Sequence, residues 1–126
     1  DVVFAQRIKA MWAEDPRVLV IDPRGSVDCC IECFRHFTHC VAMRYHSQVL
    51  AALYGIPQIV IAYHSKNLSF AAACRTRPED VISVEDFADG RACTAMVRLF
   101  RGKVVAPSVP VSGRLDELLP FSRPSG

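Results

Sequence analysis

A chain of 126 residues, 51% apolar and 22% charged, is long enough for one domain with its own core and too apolar to be disordered. A net charge of +2 is too small for an electrostatic nucleic-acid footprint or a polybasic membrane patch. No run of 18 apolar residues supplies a transmembrane helix, so neither nucleic acid nor a membrane span is expected.

The first ten residues, DVVFAQRIKA, lack the charged, apolar and small-residue blocks of a signal peptide. They begin inside a helical pattern, which suggests a further portion upstream. Phe4, Ile8, Met11 and Trp12 make one stripe over residues 1 to 13. Asp15-Pro16 closes that helix, because proline cannot continue it and restricts the residue before it. Val18-Leu19-Val20-Ile21 is a continuous apolar run of the kind found in strands buried on both faces. Asp22-Pro23-Arg24-Gly25 turns the chain. Ser26 then caps a helix over 26–37, with Val27, Cys30, Ile31, Phe34 and Phe37 on its apolar face.

Cys40-Val41-Ala42-Met43 reads as the second strand, followed by a helix over 47–54 with Val49, Leu50 and Leu53 apolar. Gly55 stands where a left-handed residue ends a helix, and Pro57 sits just beyond it. Gln58 to Ala62 is the third strand, and residues 66–75 form a short alanine-rich helix ended by Arg75-Thr76-Arg77-Pro78. Val81-Ile82-Ser83-Val84 is the fourth strand. Asp86 is placed to cap a helix over 87–101 whose core face is Cys93, Met96, Val97 and Phe100, with Gly102 as its stop. Four of the eight prolines fall in residues 106–126, which read as a tail with one helical turn at Leu115 to Leu119. Residues 1–105 are thus an α/β domain of one helix and four strand–helix units. Such alternation calls for a parallel sheet of about four strands with right-handed crossovers.

In a parallel sheet every strand ends at the same edge, where open α/β folds bind ligands. That edge receives Asp22 and Arg24, Arg44 and His46, Tyr63, His64 and Lys66, and Glu85. A strand-end arginine, a helix N-terminus and a second strand-end lysine together make an anion site. His46, beside Arg44 at a loop-to-helix junction, can act as acid or base on the bound ligand. His64 reads as a solvent-facing loop residue. His36 and His39 lie at the far end of a helix, where a histidine mostly offsets the helix dipole.

The six cysteines are Cys29, Cys30, Cys33, Cys40, Cys74 and Cys93. A full apolar core without an export signal points to reduced thiols in the cytoplasm and not to a disulfide framework. Cys30-Ile31-Glu32-Cys33 is a C-x-x-C without a second ligand pair at metal spacing, so no metal is expected and packing as small hydrophobes is the default. Neither G-x-G-x-x-G nor G-x-x-x-x-G-K-[ST] occurs, which removes self-contained dinucleotide and NTP sites of those types.

Met43-Arg44-Tyr45-His46-Ser47, Ala51-Ala52-Leu53-Tyr54-Gly55-Ile56-Pro57 and Ala62-Tyr63-His64-Ser65-Lys66 together resemble the polysaccharide pyruvyl transferase family. That family's pattern is an Arg-Leu-His loop, an alanine-rich helix ending in Gly-x-Pro, a strand and a Tyr-x-x-Lys loop. The similarity extends more loosely from Val18 to Phe100 and includes the acidic pair in Val84-Glu85-Asp86. The resemblance implies two Rossmann-like halves facing across a cleft, as in GT-B glycosyltransferases. Residues 1–105 would be most of the C-terminal half, a three-layer α/β/α domain. The missing N-terminal half, or a self-associating copy, would complete the cleft.

The resemblance implies transfer of pyruvyl from phosphoenolpyruvate to a hydroxyl pair on a saccharide or lipid-linked saccharide, with release of phosphate and no cofactor. Exopolysaccharide biosynthesis for the cell envelope would place it in the cytoplasm, reaching the inner face of the membrane through its acceptor. Arg44 would hold the donor's phosphate or carboxylate, and His46 would protonate its methylene carbon. Ser47, Tyr63, Lys66 and Glu85 would help to bind substrate. Tyr45 replaces the family's usual leucine, and His64-Ser65 stand where Asp-Pro is common. Two other functions fit the same sheet edge. One is the C-terminal half of a GT-B glycosyltransferase or sugar epimerase holding a nucleotide diphosphate. The other is a non-catalytic domain that binds an anion or a partner.

Overall fold

The structure, a computed structural model, describes residues 2–12, 15–21 and 26–109. The chain divides after Cys33 into two compact units. The Asp22–Gly25 turn, with the candidate residues Asp22 and Arg24, and the helical turn expected at Leu115 to Leu119 lie outside the described residues.

In the first unit, α1 (Val2–Met11) forms as its spacing predicts, but Phe4, Met11 and Trp12 are exposed, at 62%, 83% and 61%. The chain then turns at Asp15, whose carboxylate takes a fork of bonds from Arg17, Nε to Oδ1 at 3.0 Å and Nη2 to Oδ2 at 2.6 Å. That guanidinium holds the Asp15 carboxyl below its ordinary range.

Val18-Leu19-Val20-Ile21, expected as a strand, is not one. The Val18 amide donates to the Asp15 carbonyl at 2.9 Å, closing the turn, and Leu19 and Ile21 are exposed. An amide spent on a turn is lost to a ladder, and an apolar run by itself carries no pairing partner. α2 (Val27–Phe34) begins as the sequence indicates, with the Cys29 amide donating to Ser26 Oγ at 3.1 Å. It stops three residues earlier than its apolar spacing suggests, and Phe37 instead stacks its ring on Phe34 at 5.0 Å.

The second unit is a Rossmann-like α/β layer structure on a parallel sheet of three strands, not four: β1 (Cys40–Ala42), β2 (Gln58–Ala62) and β3 (Val81–Ser83), in that spatial order. Cys40 lies opposite Gln58, and Val60 opposite Val81. Between the strands run α3 (Tyr45–Leu53) and α4 (Ser65–Ala73), and α5 (Arg91–Phe100) follows β3. Consecutive residues of β2 face opposite ways. Gln58 reaches the α3 backbone, whereas Ile59 joins Ile82, Ala92, Ala95, Leu99 and Val104 in the core beneath α5. Helices therefore cover both faces of the sheet, and β2, the central strand, is buried along nearly its whole length.

Helix ends follow the sequence where glycine allows a left-handed turn. Gly55 (φ 63°) closes α3 and Gly102 (φ 70°) closes α5. Arg75 takes the same conformation (φ 54°) after α4 without glycine's freedom. The start and the face of α5 both differ from expectation. Glu85–Asp89 forms a 3-10 turn, so Asp86 does not cap α5, and Gly90 stands at that position. The buried side of α5 is Ala92, Ala95 and Leu99, while Cys93, Val97 and Phe100 are exposed. Small alanines let α5 approach β2 and β3 closely, and the bulkier stripe that the sequence singled out has no place to go on that side.

Candidate functional site

The loops after β1 and β2 carry the candidate chemistry. Because β1 and β2 are parallel neighbours, both loops open at one edge of the sheet, and each leads directly into a helix. There Arg44, Tyr45, His46, Tyr63, His64, Lys66 and Asn67 line one cavity of ≈ 290 Å³. No carboxylate is among them. Arg44 and Lys66 make no ion pair among the described residues. Two long cations, two imidazoles and two phenol rings thus share a small space, with no counter-charge among the described residues that line it. That composition attracts an anion.

The two helix starts differ in how they are finished. Arg44 is the extended residue before α3 (φ −75°, ψ 140°), and no side chain caps this helix. Ser47 Oγ turns back and donates to the Arg44 carbonyl at 2.7 Å. The start of α3 therefore presents its amides and its positive dipole end without a side-chain acceptor. At α4 the cap is His64, whose Nδ1 accepts the Lys66 amide at 3.2 Å. An accepting Nδ1 carries no hydrogen, so the neutral ring keeps its N–H on Nε2.

Behind the cavity wall lie three buried amide side chains. Gln48 Nε2 donates to the Asn67 carbonyl at 3.0 Å, and Asn67 Nδ2 donates to Gln48 Oε1 at 3.1 Å. Asn67 Nδ2 also donates to the Met43 carbonyl at 3.2 Å, and Gln58 Nε2 donates to the Gln48 carbonyl at 3.3 Å. Above them, the Tyr45 ring meets Phe70 edge to face at 5.8 Å, a second bridge from α3 to α4.

Of the residues singled out from the sequence, Arg44, His46, Tyr63 and Lys66 come together in this cavity. Ser47 is engaged by its own loop and does not line it. Glu85 begins the 3-10 turn after β3 and does not line it either. His64 is exposed, as the sequence suggested, but it is a cap and a wall of the cavity rather than an idle loop residue. His39 is elsewhere, its ring 5.7 Å from that of Phe100.

Sequence reasoning passed over Gln48 and Asn67. The available signal was an amide residue in the first turn of each helix that follows a candidate loop. All six cysteines are free thiols, and burial pushes the Cys40 thiol up to about 11. No group of three or more metal-ligating side chains occurs among the described residues, and none of their helices is long and apolar enough to cross a membrane.

The family model for polysaccharide pyruvyl transferase matches residues 3–65, half of the chain. It begins upstream of Val18 and takes in Arg44, His46, Tyr63 and His64, and it ends one residue before Lys66. No curated protein and no solved structure gives a significant match. The loop that supplies Arg44 and His46 to the cavity thus lies inside the matched segment, and the chain belongs to the polysaccharide pyruvyl transferase family.

Proposed function

We propose that the cavity between the two loops is the donor site of a pyruvyl transferase, and that the donor is phosphoenolpyruvate. The observation that carries this reading is the set Arg44, His46, His64 and Lys66 around one cavity, with no carboxylate among the described residues that line it, at the starts of two helices. A donor bearing a phosphate and a carboxylate needs just such groups: cations for its charge and open amides for its oxygens. Family membership supports transferase chemistry in general.

In this reading Arg44 and Lys66 hold the donor's anionic groups, with the uncapped start of α3 beneath one of them. Tyr63 flanks the ligand, and Ser47 and Glu85 act from the neighbouring loop and strand end. His46 gives a proton to the methylene carbon, which becomes a methyl group. One saccharide hydroxyl oxygen bonds to the adjacent carbon, the bond from that carbon to the phosphate oxygen breaks, and a second hydroxyl oxygen completes the ketal. Of the two hydroxyl protons, one restores His46 and the other leaves with the phosphate. The groups that hold the saccharide and the rest of the cleft come from a part of the enzyme opposite this edge, either an N-terminal half or a second copy.

The test is thermal stability with phosphoenolpyruvate and, separately, with a UDP-sugar. A ligand at 100 times its dissociation constant adds about 2.7 kcal/mol to stability. Stabilisation by phosphoenolpyruvate that Arg44→Ala removes is the expected result. Stabilisation by the UDP-sugar alone would move the site to nucleotide-sugar chemistry.

A further inference from the structure

Gln48, Gln58 and Asn67 are buried, at 0%, 2% and 1% exposure, yet their bonding is incomplete. Asn67 Oδ1 and Gln58 Oε1 have no hydrogen-bond partner among the described residues. Buried acceptors left unpaired cost stability, and apolar side chains of the same shape would avoid that cost. Three amides here are therefore a poor way to hold α3 to α4 for stability alone. What directional bonds add is a fixed distance, and the pattern of bonds shows which distance is fixed.

The Gln48 amide donates to the Arg44 carbonyl at 3.1 Å, and the Asn67 amide donates to the His64 carbonyl at 3.0 Å. Each of the two residues thus pins, through its backbone, the residue where one loop passes into its helix. The Gln48 side chain then donates to the Asn67 backbone carbonyl and accepts from the Asn67 side chain, which reaches on to the carbonyl of Met43, the residue before Arg44. A continuous path of hydrogen bonds runs from Arg44 through Gln48 and Asn67 to His64. Gln48 itself does not line the cavity.

We propose that Gln48, acting through Asn67, is a positioning residue that sets the spacing of the Arg44 and Lys66 loops so that a single anion is held by both. This rests on reading the cavity as an anion site and adds how its two halves are kept in register. Without the pair each loop still carries its cations, but the two move independently, and an anion meets one or the other.

The experiment uses the whole chain, inorganic phosphate as the probe, and the ring resonances of His46 and His64 as reporters on the two loops. In the parent protein both rings shift with one shared dissociation constant. Gln48→Met keeps the volume and removes both amide functions without touching the cavity wall. Measured well below its melting temperature, it should bind phosphate at least ten-fold more weakly, with the two rings following different constants. Should Gln48→Met not fold, Gln48→Leu combined with Asn67→Leu replaces the pair by an apolar contact and leaves neither of its two amides orphaned. It too should separate the two titrations.

A variant that keeps the parent affinity and one shared constant overturns the proposal. So does weaker binding in which the rings still titrate together, since that is what loss of packing alone would give. If neither ring responds to phosphate in the parent, the anion site itself is wrong, and the positioning role falls with it.

Discussion

Of two cavities in the second unit with cations in their walls, the larger is the less suited to a ligand. It measures ≈ 500 Å³ and lies between β3, the 3-10 turns Pro78–Asp80 and Glu85–Asp89 on either side of it, and α5. Its two arginines are both engaged. Arg91 is 3.2 Å from Asp86 and from Asp89, and Arg98 is 2.9 Å from buried Asp80 and 4.0 Å from Glu79. The loop cavity is little more than half that size, and its Arg44 and Lys66 face no carboxylate among the described residues. Arginines in the first are already answered by the fold, so an anion entering there must displace an internal partner. In the second the anion is the missing partner. Size ranks the cavities one way and charge balance the other, and charge balance is the better guide to binding.

The sharpest way to break this comparison is to unpair Arg98. Asp80 is 2% exposed, and burial pushes its carboxyl up even though Arg98 stands beside it. Arg98→Met should lower stability in a denaturant titration by about 3 kcal/mol, near the low end for a broken buried pair because Arg98 is partly in solvent. The pH dependence follows from the sign of the shift. A carboxyl whose folded pKa is raised takes up a proton on folding. Its penalty is present above the folded value and is relieved as the pH falls through it towards 3.8. The gap between variant and parent should therefore narrow on acidification. A gap constant with pH would mean that Arg98 acts through packing alone.

A smaller effect tests the larger cavity from the other direction. Asp86→Asn with Asp89→Asn leaves Arg91 without its carboxylates. If unpaired cations are what mark a site, this double variant should gain a weak phosphate response at the Gly90 and Thr94 amides that the parent lacks. It should stay weaker than the loop cavity, because Arg91 is exposed and exposed pairs are worth only about 0–1 kcal/mol. Absence of any response would shift the weight in the loop cavity from its cations to its helix starts.

The loop cavity was legible in the sequence because each of its parts has a local cause. Ala42 and Ala62 end apolar runs, Arg44 and Lys66 follow in polar loops, and helices must begin where those loops end. Parallel pairing then puts the loops side by side. What was not legible depended on partners that no local pattern names. Val18 to Ile21 looks like a strand, but its first amide closes a turn with Asp15. The core face of α5 was assigned to Cys93, Met96, Val97 and Phe100 because larger apolar residues dominate a stripe. Space beneath the helix selects Ala92, Ala95 and Leu99 instead. Gln48 and Asn67 were invisible for the same reason, since an amide within a helix gains meaning only once its partner across the interface is known.

The smallest predicted effect concerns Asp86, which belongs to the larger cavity. Asp86 Oδ2 accepts the Ser83 amide at 3.2 Å, and the Asp86 amide donates to Ser83 Oγ at 3.3 Å. The end of edge strand β3 is thus tied to the turn that follows it. These bonds to Ser83, more than the nearby Arg91, hold the Asp86 carboxyl below 3.8. A lowered folded pKa contributes stability above the unfolded value, and that contribution is lost as the pH falls through the folded one. Asp86 therefore adds to the acid limb only below about 3.8. Asp86→Asn should flatten that limb, and Ser83→Ala should flatten it in part. Arg91→Ala should leave most of it in place. If Arg91→Ala removed the limb as fully as Asp86→Asn does, the carboxylate would be serving the arginine rather than the strand. The cavity would then be a charge pair awaiting a competitor, and its difference from the loop cavity would be one of degree.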